Sequence, residues 1–514
     1  MDVFLALLPI LVVLVLLILR RTAADLAGLV GWALTLFIAA IFFNTPLRVS
    51  LNASLAGVVA SFPITLMVAA SILQITLMLE SGAVARIVAL IKTVSPGNQV
   101  VQIMIVNIGA GTLLAALGAT PVSILPPVML ALGYSSFVAI ALPALGYDAL
   151  CTYALLGIPV VVFSNFTGQP VEVVGEYFAR YMPVISTCIA LGMIWIVGGW
   201  KLVRRGWLAA LAAGLTAGFI AIGMNALHMV TLTGVAAGLG VILVMLLYLR
   251  LTKQPLVDRS NLTEADRASE QSMPLWRALS PWLILVAFAA LVNTPILPFF
   301  DLTFNRLALP ITIIPDAPEK TRLFWQAYFW ILVSTLLALP ILRTSRSQIR
   351  VSLKKWSKRA PRPMLASAVF FAIAYILNHS GKGLDWQLTD PANNMVTVVA
   401  ETAAQGLGRL YALAAPFLGL LGGFVSGSEA SAIAMLTKLH LSTAEKIGAL
   451  GLLLAAASGI GAGLASVISP AKLQNASASI DRIGEEGSVL RTTFVVSLVI
   501  TAVCALMTLF WAFK

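Results

Sequence analysis

Two carboxylates stand inside long apolar stretches of this chain. Asp148 lies in Gly146-Tyr147-Asp148-Ala149-Leu150-Cys151-Thr152-Tyr153, and Glu429 lies in Phe424-Val425-Ser426-Gly427-Ser428-Glu429-Ala430-Ser431. An ionisable residue within hydrocarbon is costly enough to be a functional candidate by default. Either carboxylate could bind a cation or carry a proton. Each also has a plainer use: Asp148 could cap a helix starting at 149, and Glu429 could cap a return arm or meet water in an extramembrane turn. Hydroxyls gather near them and at Gly118-Ala119-Thr120-Pro121-Val122-Ser123. Helix N-termini carry free backbone N–H groups and partial positive charge, which suits an anionic ligand. Thr120 and Ser123 mark one such terminus, and Ser426, Ser428 and Ser431 surround another, though such hydroxyls also serve as simple caps. Thr152 and Tyr153 either line a cavity or pack between helices, and Ser458 sits in the Gly-rich stretch 457–463. Lys472, just after Ser469-Pro470, either pairs with a carboxylate ligand or snorkels to the inner surface.

Elements that could hold such residues in place must be membrane helices. Hydrophobic residues make up 60% of the 514, charged residues 11%, and mean hydropathy is +0.97. A soluble domain carries about 25% charged residues. The net charge of +12 falls mainly in short loops, where it reads as a topology signal rather than a nucleic-acid surface. Cys151, Cys188 and Cys504, and likewise His228, His379 and His440, lack metal-ligand spacing, so no metal, cofactor or disulfide framework is called for. The N-terminal run 3–19 has Asp2 before it and Arg20 and Arg21 after it, the reverse of a signal peptide.

The apolar pattern predicts about 12 spans, at 3–19, 23–43, 62–80, 137–163, 182–199, 207–224, 228–248, 279–297, 323–342, 364–379, 447–468 and 489–512. Two further regions, 98–133 and 410–440, read as re-entrant helical hairpins whose second arms run about a dozen residues or fewer. Each is followed by an interrupted span: 137–163, broken at 146–153, and 447–470, broken at 457–463. Gly118 and Pro159 are 41 positions apart, and Gly427 and Pro470 are 43. Interrupted segments at matching positions of two halves point to a transporter's binding site. The chain therefore divides into repeat 1 (1–205), two linking spans with a loop (206–278), and an inverted repeat 2 (279–514). The 250–277 loop, including Asn261-Leu262-Thr263, reads as a solvated linker.

Lys/Arg bias orients the scheme. With both termini outside, Arg20/Arg21, Arg86/Lys92, Lys201/Arg204/Arg205, the 250–277 loop and 343–362 fall inside. The last of these holds eight Lys/Arg and no acidic residue.

The chain resembles the lactate permease family of inverted-repeat ion-coupled carriers. The resemblance rests on the span pattern and on Ala119-Thr120-Pro121-Val122, Gly157-Ile158-Pro159, Gly427-Ser428-Glu429-Ala430-Ser431 and Ile468-Ser469-Pro470. It implies proton-coupled uptake of lactate and related 2-hydroxy acids such as glycolate. The expectation is thus an all-α polytopic membrane protein of the plasma (inner) membrane, not an enzyme: two inverted repeats, two re-entrant hairpins, two broken helices. Its partners are a small organic anion, a proton or sodium, and the lipid bilayer. Thr120, Ser123, Asp148, Thr152, Tyr153, Ser426, Ser428, Ser431 and Ser458 are expected to contact substrate, with Glu429 and Asp148 as proton carriers. A reading from another class is a membrane-embedded hydrolase using Ser426 or Ser428 with His440; a channel is a third.

Overall fold

The computed structural model describes all residues except 1, 19, 21, 95–97, 261, 295–296, 316, 483–484 and 514. Arg21 and Asn261, used in the topology reading, lie outside the described residues. Helices dominate because lipid offers no partner for backbone N–H and C=O groups, so each span must satisfy its own.

The first half runs α1 (Asp2–Ile18), α2 (Ala24–Phe42), α3 (Leu47–Ala60), α4 (Phe62–Glu80) and the amphipathic α5 (Ala83–Lys92). A hairpin follows: α6 (Gln99–Ile103), a π-helical turn and α7 (Gly111–Ala116) form one arm, and α8 (Pro121–Ala131) the other. Then come α9 (Ser136–Asp148), α10 (Ala154–Thr167), α11 (Val171–Ala179) and α12 (Met182–Ala226). After α13 (Thr233–Leu251), α14 (Glu264–Ser272) and α15 (Leu275–Ala278), a similar order recurs. It begins with α16 (Ser280–Asn293), the short α17 (Pro298–Asp301), α18 (Ala327–Leu342), α19 (Arg346–Arg359), α20 (Pro361–His379) and the amphipathic α21 (Met395–Leu407). A second hairpin joins α22 (Tyr411–Ser426) to α23 (Glu429–Ile447), and α24 (Gly451–Leu464), α25 (Pro470–Ala478) and α26 (Glu486–Trp511) close the chain.

The two series exchange contacts. α3 packs on α20 while its counterpart α19 packs on α4; α2 packs on α20 while α18 packs on α4; and α4 meets α20.

Among the described residues, nine helices are long and apolar enough to cross a membrane, ten if the bent pair at 136–167 forms one span. All 12 expected spans fall on helices. The counts differ because α1, α16 and α18 have only 17, 14 and 16 residues, because Gln99–Ala116 and Met395–Ser426, which are not among the 12, also pass on length and apolarity, and because 182–199 and 207–224 form one element. That element turns at Gly198 and Gly199, whose φ of +57° and ψ of −158° interrupt the helix.

Four details depart from the sequence reading. The 302–326 connection carries an antiparallel ribbon, β1 (Leu309–Ile314) with β2 (Ala317–Thr321), laid against α3, a small addition to an otherwise helical architecture. The return arm α23 has 19 residues rather than a dozen, ending only where Gly448 adopts φ +68°. Residues 457–463 are continuous helix, and the second break comes later, at Ala465–Ser469. The 250–277 loop is a strap rather than a free linker. Asp258 N donates to Thr93 O at 2.8 Å, Val257 bridges Val94, and Lys92 Nζ donates to both Asp266 oxygens at 2.8 and 2.9 Å. Arg86 Nε donates to Met273 O at 3.0 Å and its guanidinium pairs with Glu270.

The second half is held by backbone contact. A Cβ at Gly419 would lie 1.8 Å from Ser458 O, and one at Gly461 would lie 1.9 Å from Pro416 O. The helices α22 and α24 therefore touch along glycines, as close helix approach in a bilayer requires.

Candidate functional site

α9 ends at Asp148. The chain then passes through the 3-10 turn Cys151–Tyr153, and left-handed backbone at Leu155, Leu156 and Gly157 (φ +53°, +55° and +75°) delays regular helix. Opposite it, α24 gives way to the 3-10 turn Ser466–Ile468 before Pro470 opens α25. α9 packs on the Ser466–Ile468 turn, α24 on the Cys151–Tyr153 turn, and α10 on α23. The two breaks therefore cross, with the second hairpin tip beside them.

This crossing gathers the carboxylates. Both Asp148 and Glu429 are 4% exposed. Val467 N donates to Asp148 Oδ2 at 3.2 Å, so Asp148 caps the broken helix of the other half. Glu429 is the first residue of α23, where the helix dipole favours negative charge. Thr152 Oγ1 donates to its Oε1 at 2.7 Å. Room for this carboxylate comes from Gly463: a Cβ there would meet Glu429 Oε2 at 2.8 Å and Cys151 Cβ at 3.4 Å. Among the described residues, Asp148 Oδ1, Glu429 Oε2 and Ser431 Oγ are buried without a hydrogen-bond partner. Unsatisfied buried polar atoms are rare in native proteins and call for an explanation such as a ligand, an ion or a proton.

Lys472 closes one side. Its Nζ donates to Ser466 Oγ at 2.6 Å and lies 3.9 Å from the centre of the Tyr147 ring. It acts electrostatically on both carboxylates. Yet among the described residues it forms no ion pair within 4 Å. Cys151 Sγ is 3.7 Å from the same Ser466 hydroxyl.

Other expected site residues have different placements. Ser428 caps α23, accepting from Ser431 N at 3.4 Å. Ser426 Oγ sits 2.8 Å from Gly422 O and 2.9 Å from Ser428 O, so it braces the tip, where Gly427 turns with φ +67°. Tyr153 points into helix packing, its hydroxyl 3.0 Å from Asn225 Nδ2 and 3.3 Å from Gly175 O. Ser458 lies in the α22–α24 contact. Thr120 and Ser123 are exposed at the start of α8, and among the described residues neither is hydrogen-bonded to the carboxylate cluster. Tyr147, Cys151, Ser466 and the Val467 amide were not anticipated as site groups. A small residue shortly before Ser469-Pro470 was the available signal for Ser466.

The hydrolase reading finds no constellation. His440 Nδ1 is 2.8 Å from Tyr411 Oη, and Ser428 is 12 residues back along the same helix, about 18 Å away at 1.5 Å per residue.

Comparison with known proteins places this geometry in context. The chain is 25% identical to the glycolate permease GlcA of Escherichia coli (strain K12), covering all of this chain and 96% of that one. It is 25% identical to the L-lactate permease of the same organism over 94% of this chain and 90% of the relative. It is 22% identical to the L-lactate permease of Bacillus subtilis (strain 168), over 98% and 94%. Among solved structures, MtrF of Neisseria gonorrhoeae, from a class of antimetabolite efflux pumps, superposes with a TM-score of 0.45 at 14% identity, over 90% of this chain and 84% of that one. The family described as L-lactate permease matches residues 2–513, and the chain belongs to that family.

Proposed function

We propose that this protein imports L-lactate or a related 2-hydroxy acid such as glycolate by proton symport, across the plasma membrane. Family membership makes it a multi-pass membrane transporter of small monocarboxylates rather than an enzyme. The observation carrying the finer reading is the pair Asp148 and Glu429, buried where the two breaks cross, each with an unpartnered oxygen.

A carboxylate substrate entering such a site adds negative charge to an apolar interior, which is several kcal/mol unfavourable unless compensated. A proton on one acid removes the repulsion and travels with the substrate. One proton per anion is electroneutral. Glu429 is assigned as the carrier because it opens α23 at a hairpin tip, where access can alternate between the two sides. Asp148 serves as the second acid, and Thr152, Ser428 and Ser431 frame the anion. The division into repeat 1 (1–205), a linking segment (206–278) and inverted repeat 2 (279–514) belongs to the same proposal. The exchanged packing of α3, α4, α19 and α20 supports it.

A sodium-coupled carrier is the second reading, favoured by the same unpartnered oxygens, since hard cations take oxygen ligands. Uptake of labelled L-lactate and glycolate into proteoliposomes tests both. Accumulation driven by an inward proton gradient in sodium-free buffer is the expected result. Accumulation that needs sodium and ignores the pH gradient selects the alternative. Absence of monocarboxylate uptake under both gradients sinks the function.

A further inference from the structure

We propose that Lys472 is the fixed cation that anchors the substrate's carboxylate, through the donors that its hydrogen bond to Ser466 leaves free; this rests on the monocarboxylate reading above. Its position fits an anchor better than a snorkelling side chain. The ammonium points back to Ser466 Oγ at 2.6 Å and lies over the Tyr147 ring at 3.9 Å, beside the crossing of the two breaks. Snorkelling would carry it toward the headgroups instead.

An ammonium has three donors. One goes to Ser466 and the Tyr147 face takes the charge by a cation–π contact, so donor capacity remains. Neither Asp148 nor Glu429 claims it within 4 Å among the described residues, although both act on it electrostatically. Asp148 is turned to Val467 N and Glu429 to Thr152. The site thus holds an unpaired cation beside two acids that already have other donors. A ligand carboxylate between Lys472 and the crossing completes it. A single fixed cation suits a monocarboxylate; a dicarboxylate would bring a second, uncompensated charge.

The anchor and the proton carrier then have separate tasks. Lys472 offsets the substrate's charge on every cycle, and the acids adjust the site's remaining charge by one proton.

The test is ligand-induced thermal stabilisation of the purified full-length carrier, with L-lactate, glycolate, propionate and succinate. It is repeated with L-lactamide, the uncharged amide of lactate, as competitor. In the wild type an anchor makes lactamide a weaker ligand than lactate by roughly tenfold or more, the scale of a hydrogen bond to a charged group. Lys472→Gln should lose that preference, binding lactate roughly tenfold more weakly and lactamide as before, while Lys472→Arg recovers most of the difference. Size-exclusion profiles matching the wild type qualify each variant. If Lys472→Gln does not fold, Lys472→Met, which keeps the length of the side chain without its charge, carries the same comparison. Lactamide binding as tightly as lactate to the wild type overturns the anchor, as does a Lys472→Gln variant with unchanged lactate affinity. Wild-type protein stabilised by none of the carboxylates overturns the monocarboxylate reading and the anchor with it. Stabilisation without discrimination against the amide overturns the anchor alone.

Discussion

Glu429 and Gly463 depend on each other at the level of single atoms. The carboxylate occupies volume that a side chain at 463 would fill, because a Cβ there would come within 2.8 Å of Oε2. Real Cβ atoms do not approach so closely, so Gly463→Ala should displace Glu429 from Thr152. The expected outcome is proteoliposome uptake reduced by roughly tenfold or more with an unchanged elution profile, since one charged hydrogen bond is lost. Wild-type uptake in that variant would mean that Glu429 is not held where the transport step needs it. Glu429→Gln asks a different question. The amide keeps an acceptor for Thr152 but cannot pick up and release the proton. Proton-driven accumulation should vanish while exchange against preloaded substrate continues. A variant that accumulates substrate normally under a pH gradient without sodium removes Glu429 as the coupling residue.

At the scale of elements, the strap and the glycine contacts do opposite things. The strap clamps α5, the amphipathic connector leading into the first hairpin, through partly buried charge. Burial alone would push the Asp266 carboxyl up. Donation from Lys92, and from the Thr263 amide and hydroxyl, outweighs that and holds it below the ordinary carboxylate value. A depressed acid stabilises the strap fully above its unfolded value of about 4 and loses that contribution as pH falls through the lower folded value. Hydrogen–deuterium exchange across 257–272, corrected for the intrinsic rate at each pH, should therefore show strong protection at pH 7 that falls away in strong acid. Lys92→Ala should bring that loss of protection to neutral pH, and unchanged exchange there would refute the clamp. The α22–α24 contact, by contrast, depends on absent side chains. Gly461→Leu drives a side chain into Pro416 O, where a Cβ already meets it at 1.9 Å. Overpacking costs about 1–3 kcal/mol when neighbours can shift, and backbone cannot do so readily. Loss of monodisperse protein is expected, and a well-folded Gly461→Leu carrier would show that the two helices can separate.

For the whole molecule, helices from the two ends of the chain cover one another. α4 and α20 face each other, and each is covered by the short helix preceding the other. If the halves are inverted in the bilayer, Ser260 in the strap and Ser347 in α19 share the cytoplasmic side and both termini lie outside. Single-cysteine variants at these two serines, treated with an impermeant maleimide, should label only after the membrane is permeabilised. Labelling in sealed cells would end the inverted scheme.

Local chemistry was enough to read much of this protein. A carboxylate inside an apolar run stands out wherever the chain goes, so Asp148 and Glu429 could be singled out before any fold was known. Gly and Pro mark breaks for equally local reasons, which is why the hairpin at Gly427 and the bend after Asp148 were legible. Tertiary structure decided what those residues meet. Thr152 reaches Glu429 across 277 positions, and the Val467 amide reaches Asp148 across 319. No spacing rule connects them, because the contact exists only once two broken helices cross. Helix ends defined by tertiary packing were equally hidden. The second arm reads as ending near 440 in the sequence, yet His440 is paired with Tyr411 inside the packing and α23 continues to Ile447, where Gly448 caps it. The strap looked like a solvated linker for the same reason. Its charges are ordinary surface residues in sequence, and only the fold brings Lys92 and Arg86 to them.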